Sequence, residues 1–279
     1  MEKKPEVSKY SANTRIGYWN ETLSMEDEQL KLFLRKRERN ELLVQRSRAL
    51  FCNILKQIEL TCNEKGLKYG DVVQIVAPDM PNSVSCKDGN GLALSGLVNE
   101  REVDYVLKLA NGCQLTMSPC LVPCVRNSFI ITSPDDTEKV GEPLLYGDDF
   151  ALQCYESHKD IPLFVQSPLL TVTGTRGPKE HQPLSLTCTK DRYCRWKALA
   201  GDHHIRFETE GMPVPANTRL VINHSSSNKN LAVEFGAWWL TFFGPECGVS
   251  AHNYRDIFKR ECAENCFIIH TSTSESPQA

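Results

Sequence analysis

The stretch GMPVPANTRLVINHSSSNKNLAVE, residues 211–234, constrains the fold more than any other part of the chain. Pro213 and Pro215 fix the backbone at its entry and exclude helix there. Leu220 and Ile222 alternate with Arg219, Val221 and Asn223, the period of a strand with one apolar face. Ser225, Ser226, Ser227 and Asn228 supply turn chemistry, and Leu231-Ala232-Val233 returns as a second strand. The unit is a β-hairpin.

Two imperfect relatives of this hairpin lie upstream, and both open on Tyr-Gly-Asp. Tyr69-Gly70-Asp71 leads a strand with Val73 and Ile75 on one face, and Tyr146-Gly147-Asp148 leads one with Phe150 and Leu152. Val73 to Phe150 is 77 residues and Phe150 to Leu220 is 70. Each unit closes on an aromatic-led strand, beginning at Phe129, Trp196 and Phe267, with spacings of 67 and 71 residues. Two independent landmarks with nearly one period indicate three repeats. A lone hairpin is marginal in water, so three of them are expected to close on one another and hide their edges. The expectation is a mainly β protein with an N-terminal helical arm and a three-repeat, β-trefoil-like body. The arm occupies 1–68, the body 69–271 with repeats at 69–135, 146–199 and 211–271, and a polar tail 272–279.

With 279 residues and 41% hydrophobic content, the chain can bury a sizeable core. No apolar run approaches the ~18 residues that span a bilayer, and MEKKPEVSKYSANTR lacks the apolar centre of a secretory leader. A cytoplasmic protein with no membrane partner is therefore expected. Charge is polarised: residues 1–68 carry +4 and the remainder −7. Nucleic-acid binders are basic over a whole domain, so this split points to a partner-binding arm instead. Its first segment, Arg15 to Glu21, reads as an extended piece docking by Trp19. A long helix follows, with Ser24 as its cap. Leu30, Phe33 and Leu34 form one apolar stripe, and Leu43, Val44, Ser47, Leu50, Phe51, Ile54, Leu55 and Ile58 a cleaner one. Between the stripes lie Arg35, Lys36, Arg37, Arg39, Arg46 and Arg48. Either these make a solvated face or they contact an acidic partner.

The twelve cysteines include no C-x-x-C. Cys120/Cys124 and Cys262/Cys266 have zinc-compatible spacing, but nothing in the sequence brings the pairs together, so neither a metal nor a structural disulfide is expected. Catalytic signatures such as G-x-S-x-G and H-E-x-x-H do not occur, and the loop at 174–182 lacks P-loop spacing. No enzyme and no cofactor are expected. Trp238, Trp239, Phe242 and Phe243 form an aromatic cluster that fits either a core or an exposed anchor.

Seven segments occur here in a recognisable order: RIGYWNE at 15–21, LVQRSR at 43–48, YGD at 69–71, RNSFII at 126–131, YGDDF at 146–150, EGMPVPAN at 210–217 and INH at 222–224. The ordered set, spanning about 15–270, resembles the cilia- and flagella-associated protein 161 family. Cys154 to His204 departs most from its pattern. The hairpin from Leu220 to Val233 also resembles the repeat of MIR-type β-trefoil domains. The family resemblance implies a microtubule inner protein of the axonemal doublet. Such a protein binds the luminal tubulin wall of the A-tubule beside other inner proteins and stabilises it in motile cilia and flagella. It implies no catalytic site and no cofactor, and it makes Arg15, Trp19 and the six basic residues of the helical arm the expected partner contacts. A β-trefoil glycan-binding module is the alternative, disfavoured because no Q-x-W triplet recurs.

Overall fold

The computed structural model describes residues 16–272 apart from 64–65, 83–90, 100–101, 104–105, 136–138, 156–160, 173 and 175. Arg15, Cys86 and the tail beyond Ser272 lie outside the described residues. Two helices, α1 (Ile16–Glu38) and α2 (Leu43–Ile54), precede a body of strands. These are β1 (Val72–Ala77), β2 (Leu92–Leu97), β3 (Gln114–Ser118), β4 (Phe129–Thr132), β5 (Asp149–Cys154), β6 (Phe164–Gln166), β7 (Gln182–Pro183), β8 (Ser185–Thr187), β9 (Trp196–Ala200), β10 (Arg219–His224), β11 (Lys229–Thr241), β12 (Gly244–Ala251) and β13 (Phe267–His270). A one-turn helix, α3 (Arg206–Thr209), sits between β9 and β10.

Six strands pair antiparallel in a closed ring: β1 with β4, β4 with β5, β5 with β9, β9 with β10, β10 with β13, and β13 with β1. Closure leaves the ring with no exposed edge, which a small open sheet cannot achieve. The hairpins β2–β3, β6–β8 and β11–β12 extend from it, and β3 joins the other two through β8 and β12.

The local chemistry of closure is the same in each third of the chain. Gly70 and Gly147 take φ of +98° and +88°, and Asn217, ahead of β10, takes +55°. Glycine and asparagine are the residues that enter the left-handed region most readily. Their N–H groups donate to the carbonyls of Ile131, Ala198 and Ile269, each the third residue of an aromatic-led strand, at 2.7, 3.1 and 3.1 Å. Ala216-Asn217-Thr218 is thus the counterpart of Tyr-Gly-Asp that the third hairpin lacked in sequence. Nearby, Leu67 N–H donates to Val214, Val214 to Leu144 and Leu144 to Leu67, at 2.9, 2.8 and 2.9 Å. All three side chains are fully buried. This closed triangle of backbone bonds satisfies polar groups that have no access to water.

Inside the ring, Val73, Ile75, Phe150, Leu152, Leu220 and Ile222 share one buried cluster with Phe129, Trp196 and Phe267. Burying each such side chain contributes roughly 1.5–3 kcal/mol. Trp196 Nε1–H finds its partner in the carbonyl of Val165 at 3.0 Å. The third hairpin differs from the expectation of a single apolar face. Val221 and Asn223 are buried as well as Leu220 and Ile222, and the Asn223 amide donates to Asn228 Oδ1 at 3.3 Å and Asn230 Oδ1 at 2.9 Å.

The arm departs from its expected form in two ways. Residues 16–21 are helical rather than extended, and Ser24 lies inside α1 instead of capping it. Ile16 and Trp19 continue the three- and four-residue spacing of Leu23, so the helical period starts before the acidic run. The expected single helix is also two helices. Asn40, at φ +57°, ends α1 in the left-handed conformation typical of a helix C-terminus. Glu41 N–H then closes on Lys36 O at 2.8 Å.

Candidate partner-binding surface

Arg35, Lys36 and Arg37 form the last turn of α1, where cations complement the helix dipole. Arg39 lies in the corner, and Arg46 and Arg48 lie on α2. Gln45 sets the corner: its Nε2 donates to Arg37 O at 3.1 Å and Asn40 Oδ1 at 3.2 Å, and its Oε1 accepts from Leu42 N–H at 3.3 Å. The corner therefore brings Arg39, Arg46 and Arg48 around one cleft of about 780 Å³, bounded by Glu41, Cys52 and Leu107. Among the described residues, Arg35, Lys36, Arg37, Arg39 and Arg48 have no ion-pair partner. Trp19 falls in the second turn of α1.

Every described side chain of α1 from Glu21 onward is exposed except the half-buried Leu34. Leu30 is 57% and Phe33 48% exposed, although they form an apolar stripe. By contrast, α2 docks. Leu50 and Ile54 are buried in the body's core, while Leu43, Val44 and Leu55 of the same expected stripe stay exposed. Phe51 meets the tip of the β11–β12 hairpin, edge-on to Phe243 at 5.6 Å and tilted against Phe242 at 6.0 Å.

That tip is rigidly supported. The Arg126 guanidinium lies 3.8 Å from the Phe243 ring centroid on the ring face. Arg126 pairs with Glu246, and both are essentially buried. Glu246 also accepts from Thr116 Oγ1 at 2.8 Å. A buried ion pair is tolerable only when its charges are mutually satisfied. Here it fixes the aromatic face on which the arm sits. Of the aromatic cluster, Trp238 packs edge-on to Phe235 and Phe243 faces Arg126, whereas Phe242 is half exposed. Trp239 lines two adjacent clefts of about 830 and 270 Å³.

Sequence reasoning missed a polar cluster around Glu234, a fully buried carboxylate on β11. It accepts from Tyr254 OH at 2.6 Å, His181 Nδ1 at 2.7 Å and Ser250 Oγ, with Lys179 Nζ at 3.4 Å. Burial pushes this carboxyl up, but the Ser250, Tyr254 and His181 hydrogen bonds outweigh it and hold it low. With so many donors, Glu234 anchors the loop carrying Lys179 and His181 to the hairpin. One group of three among the described residues, Asp202, His203 and His204, brings metal-ligating atoms within 4.8 Å of one another. All three are exposed, and Asp202 Oδ1 already caps His204 N–H at 2.9 Å. Cys124 and Cys262 each precede a 3-10 turn leading to an aromatic strand, at Val125–Asn127 and Ala263–Asn265. Asn127 and Asn265 tie those turns down through their amides. The signal was an Asn two residues before Phe129 and before Phe267.

The sequence profile of the cilia- and flagella-associated protein 161-like domain matches residues 46–272. Cilia- and flagella-associated protein 161 of Bos taurus is 34% identical over 265 residues, covering 94% of this chain and 82% of that protein. The Mus musculus protein of that name is 33% identical over 266 residues, covering 94% and 88%. The Danio rerio protein is 31% identical over 278 residues, covering 95% and 89%. Among solved structures, the SDF2-like protein of Arabidopsis thaliana superposes with a TM-score of 0.50 at 14% identity, over 75% of this chain and 99% of that one. A Caenorhabditis elegans protein described as of unknown function gives 0.51 at 12% identity, over 76% and 99%. These two likenesses concern the fold alone.

Proposed function

Because this chain belongs to the cilia- and flagella-associated protein 161 family, we propose that it is a microtubule inner protein of the axonemal doublet. In this reading it binds the luminal tubulin wall of the A-tubule, next to other inner proteins, and stiffens it for beating. Its role is structural and not catalytic, and the closed barrel with its three hairpins is a β-trefoil acting as a rigid mount. The observation that carries the reading is α1. This 23-residue helix holds an apolar stripe whose Leu30 and Phe33 are exposed and a basic last turn without an ion-pair partner among the described residues. An exposed stripe of this kind has its burial supplied by another molecule. Tubulin is acidic, so a helix ending in Arg35, Lys36 and Arg37 suits it.

The test is fractionation of detergent-extracted, salt-washed axonemal doublets. Wild-type protein is expected to remain with the doublets; its complete release at the detergent step would sink the proposal. Reversing Arg35, Lys36, Arg37 and Arg39 to Glu is expected to leave the circular dichroism spectrum and melting temperature unchanged. It should also lower axonemal occupancy. Each exposed pair contributes only ~0.2–1 kcal/mol, so the effect requires several together. Unchanged occupancy and salt resistance would identify the basic run as a solvated face.

A further inference from the structure

A second surface, on the body and remote in sequence from the arm, has the form of a prepared contact. Residues 255–261 make a tight hairpin-like loop, with Arg255 bridged to Glu261. Asp256 locks its tip. The Asp256 carboxylate accepts from Arg260 N–H at 2.9 Å and from Arg260 Nε at 3.1 Å, and Asp256 N–H donates to Arg260 O at 2.9 Å. Lys259 completes the turn at φ +62°. The lock holds two consecutive apolar side chains in water: Ile257 is 96% and Phe258 72% exposed. A second strut joins this loop to α3. Arg206 makes a bidentate pair with Glu261, Nη1 to Oε1 at 3.1 Å and Nη2 to Oε2 at 2.9 Å, and its Nε donates to Ala200 O at 2.9 Å. The next residue, Phe207, is 90% exposed. Burial raises the Glu261 carboxyl, but Arg206 overrides it and keeps it ionised.

We infer that Ile257, Phe258 and Phe207 form a preorganised docking knob for an acidic protein surface with an apolar recess. Charge chooses this partner. Arg255, Lys259 and Arg260 against Asp256 and Glu261 leave residues 255–261 at +1, inside a segment, 69–279, whose net charge is −7. A rigid turn also loses little freedom on binding, so its aromatic and aliphatic area converts to affinity efficiently. The inference rests on the doublet reading above and adds a second point of attachment, so that the arm and the knob grip one wall.

The test compares wild type with an Ile257→Ser/Phe258→Ser variant in cilia lacking the native protein. Both side chains are exposed, so the melting temperature should not change. Retention on salt-washed doublets should fall about tenfold, the scale of a lost aromatic anchor. A second variant, Asp256→Ala, keeps both side chains but frees the turn, and should also lower retention. Wild-type retention with equal retention of the serine variant overturns the knob and leaves the doublet reading intact. Release of the wild type itself overturns the doublet reading, and the knob with it. Flotation of the purified protein on phosphatidylserine vesicles, abolished in the serine variant, would assign the knob to a lipid surface and also overturn the inference.

Discussion

His224 shows how a single buried residue couples the fold to pH. Its ring is fully buried and packs 4.9 Å from the Trp196 ring. Nε2 donates to Tyr193 O at 3.0 Å, because a carbonyl can only accept. Nδ1 is then the acceptor, facing Ser227 Oγ at 2.8 Å and Gln182 Nε2 at 3.4 Å. Protonation would charge a buried ring and turn that acceptor into a donor facing the Gln182 amide. Burial accordingly lowers the His224 pKa. The folded value lies below the unfolded ~6.5, so the unfolded chain binds more protons as pH falls. Stability from this group is complete above ~6.5 and is lost as pH drops towards the folded value. Urea denaturation from pH 7.5 to 5.0 should show falling stability. In His224→Gln, less stable overall, the slope should be shallower by at most about 1.4 kcal/mol per pH unit. An unchanged slope would mean that His224 takes up the same number of protons folded and unfolded over this range, so that burial does not lower its pKa. Some slope should persist, since burial also lowers His252 and His270.

The two helices of the arm are chemically similar but energetically opposite. α1 has no buried side chain among those described, whereas α2 places Leu50 and Ile54 in the body's core. Deleting residues 1–41 should therefore leave the melting temperature within a degree or two, while abolishing retention on doublets. Leu50→Ala should instead cost about 2–5 kcal/mol through the cavity it leaves. A large loss of stability in the truncation would show that α1 packs on the body in solution. The β11–β12 hairpin is the matching element on the other side. Its bulge between Glu234 and Trp238 lets the strand turn away from the ring and carry Phe243 to Phe51. The aromatic tip is thus a mount for the arm, a third use that neither the core reading nor the exposed-anchor reading anticipated.

At the scale of the molecule, one cluster runs through all three thirds of the body and includes α2. Ring closure means that no third can leave without opening two strand interfaces. Unfolding should be a single cooperative transition, with tryptophan fluorescence and circular dichroism coinciding. Phe150→Ala, at the centre of the cluster, should shift both probes together by about 3–5 kcal/mol. Separate transitions, or a shift in one probe only, would show that the thirds fold independently. The charge polarity acts at the same scale. A +4 arm on a −7 body separates the two signs of charge along the chain, so the proposed attachment to an acidic wall is expected to be directional and sensitive to salt.

Much of this was legible in the residues themselves. Strand positions followed from two-residue alternation, and Tyr69-Gly70-Asp71 and Tyr146-Gly147-Asp148 marked where two strands open, at turns whose glycines take positive φ in the structure. The spacing of Phe129, Trp196 and Phe267 marked the strands that close on those turns. These are local properties, determined by backbone sterics and by which side chains leave water. The third turn, at Asn217, escaped notice because its chemistry is that of an amide and not of glycine. Tertiary structure alone decided which apolar stripe finds a surface. The stripes of α1 and α2 look alike in sequence, yet Leu50 and Ile54 are covered and Leu30 and Phe33 are not. It also decided that Arg126 and Glu246, 120 positions apart, neutralise each other beneath Phe243. It further decided that Arg206 braces a loop some fifty residues downstream. Such long-range pairings depend on where closure of the ring brings distant segments, and no local spacing encodes that.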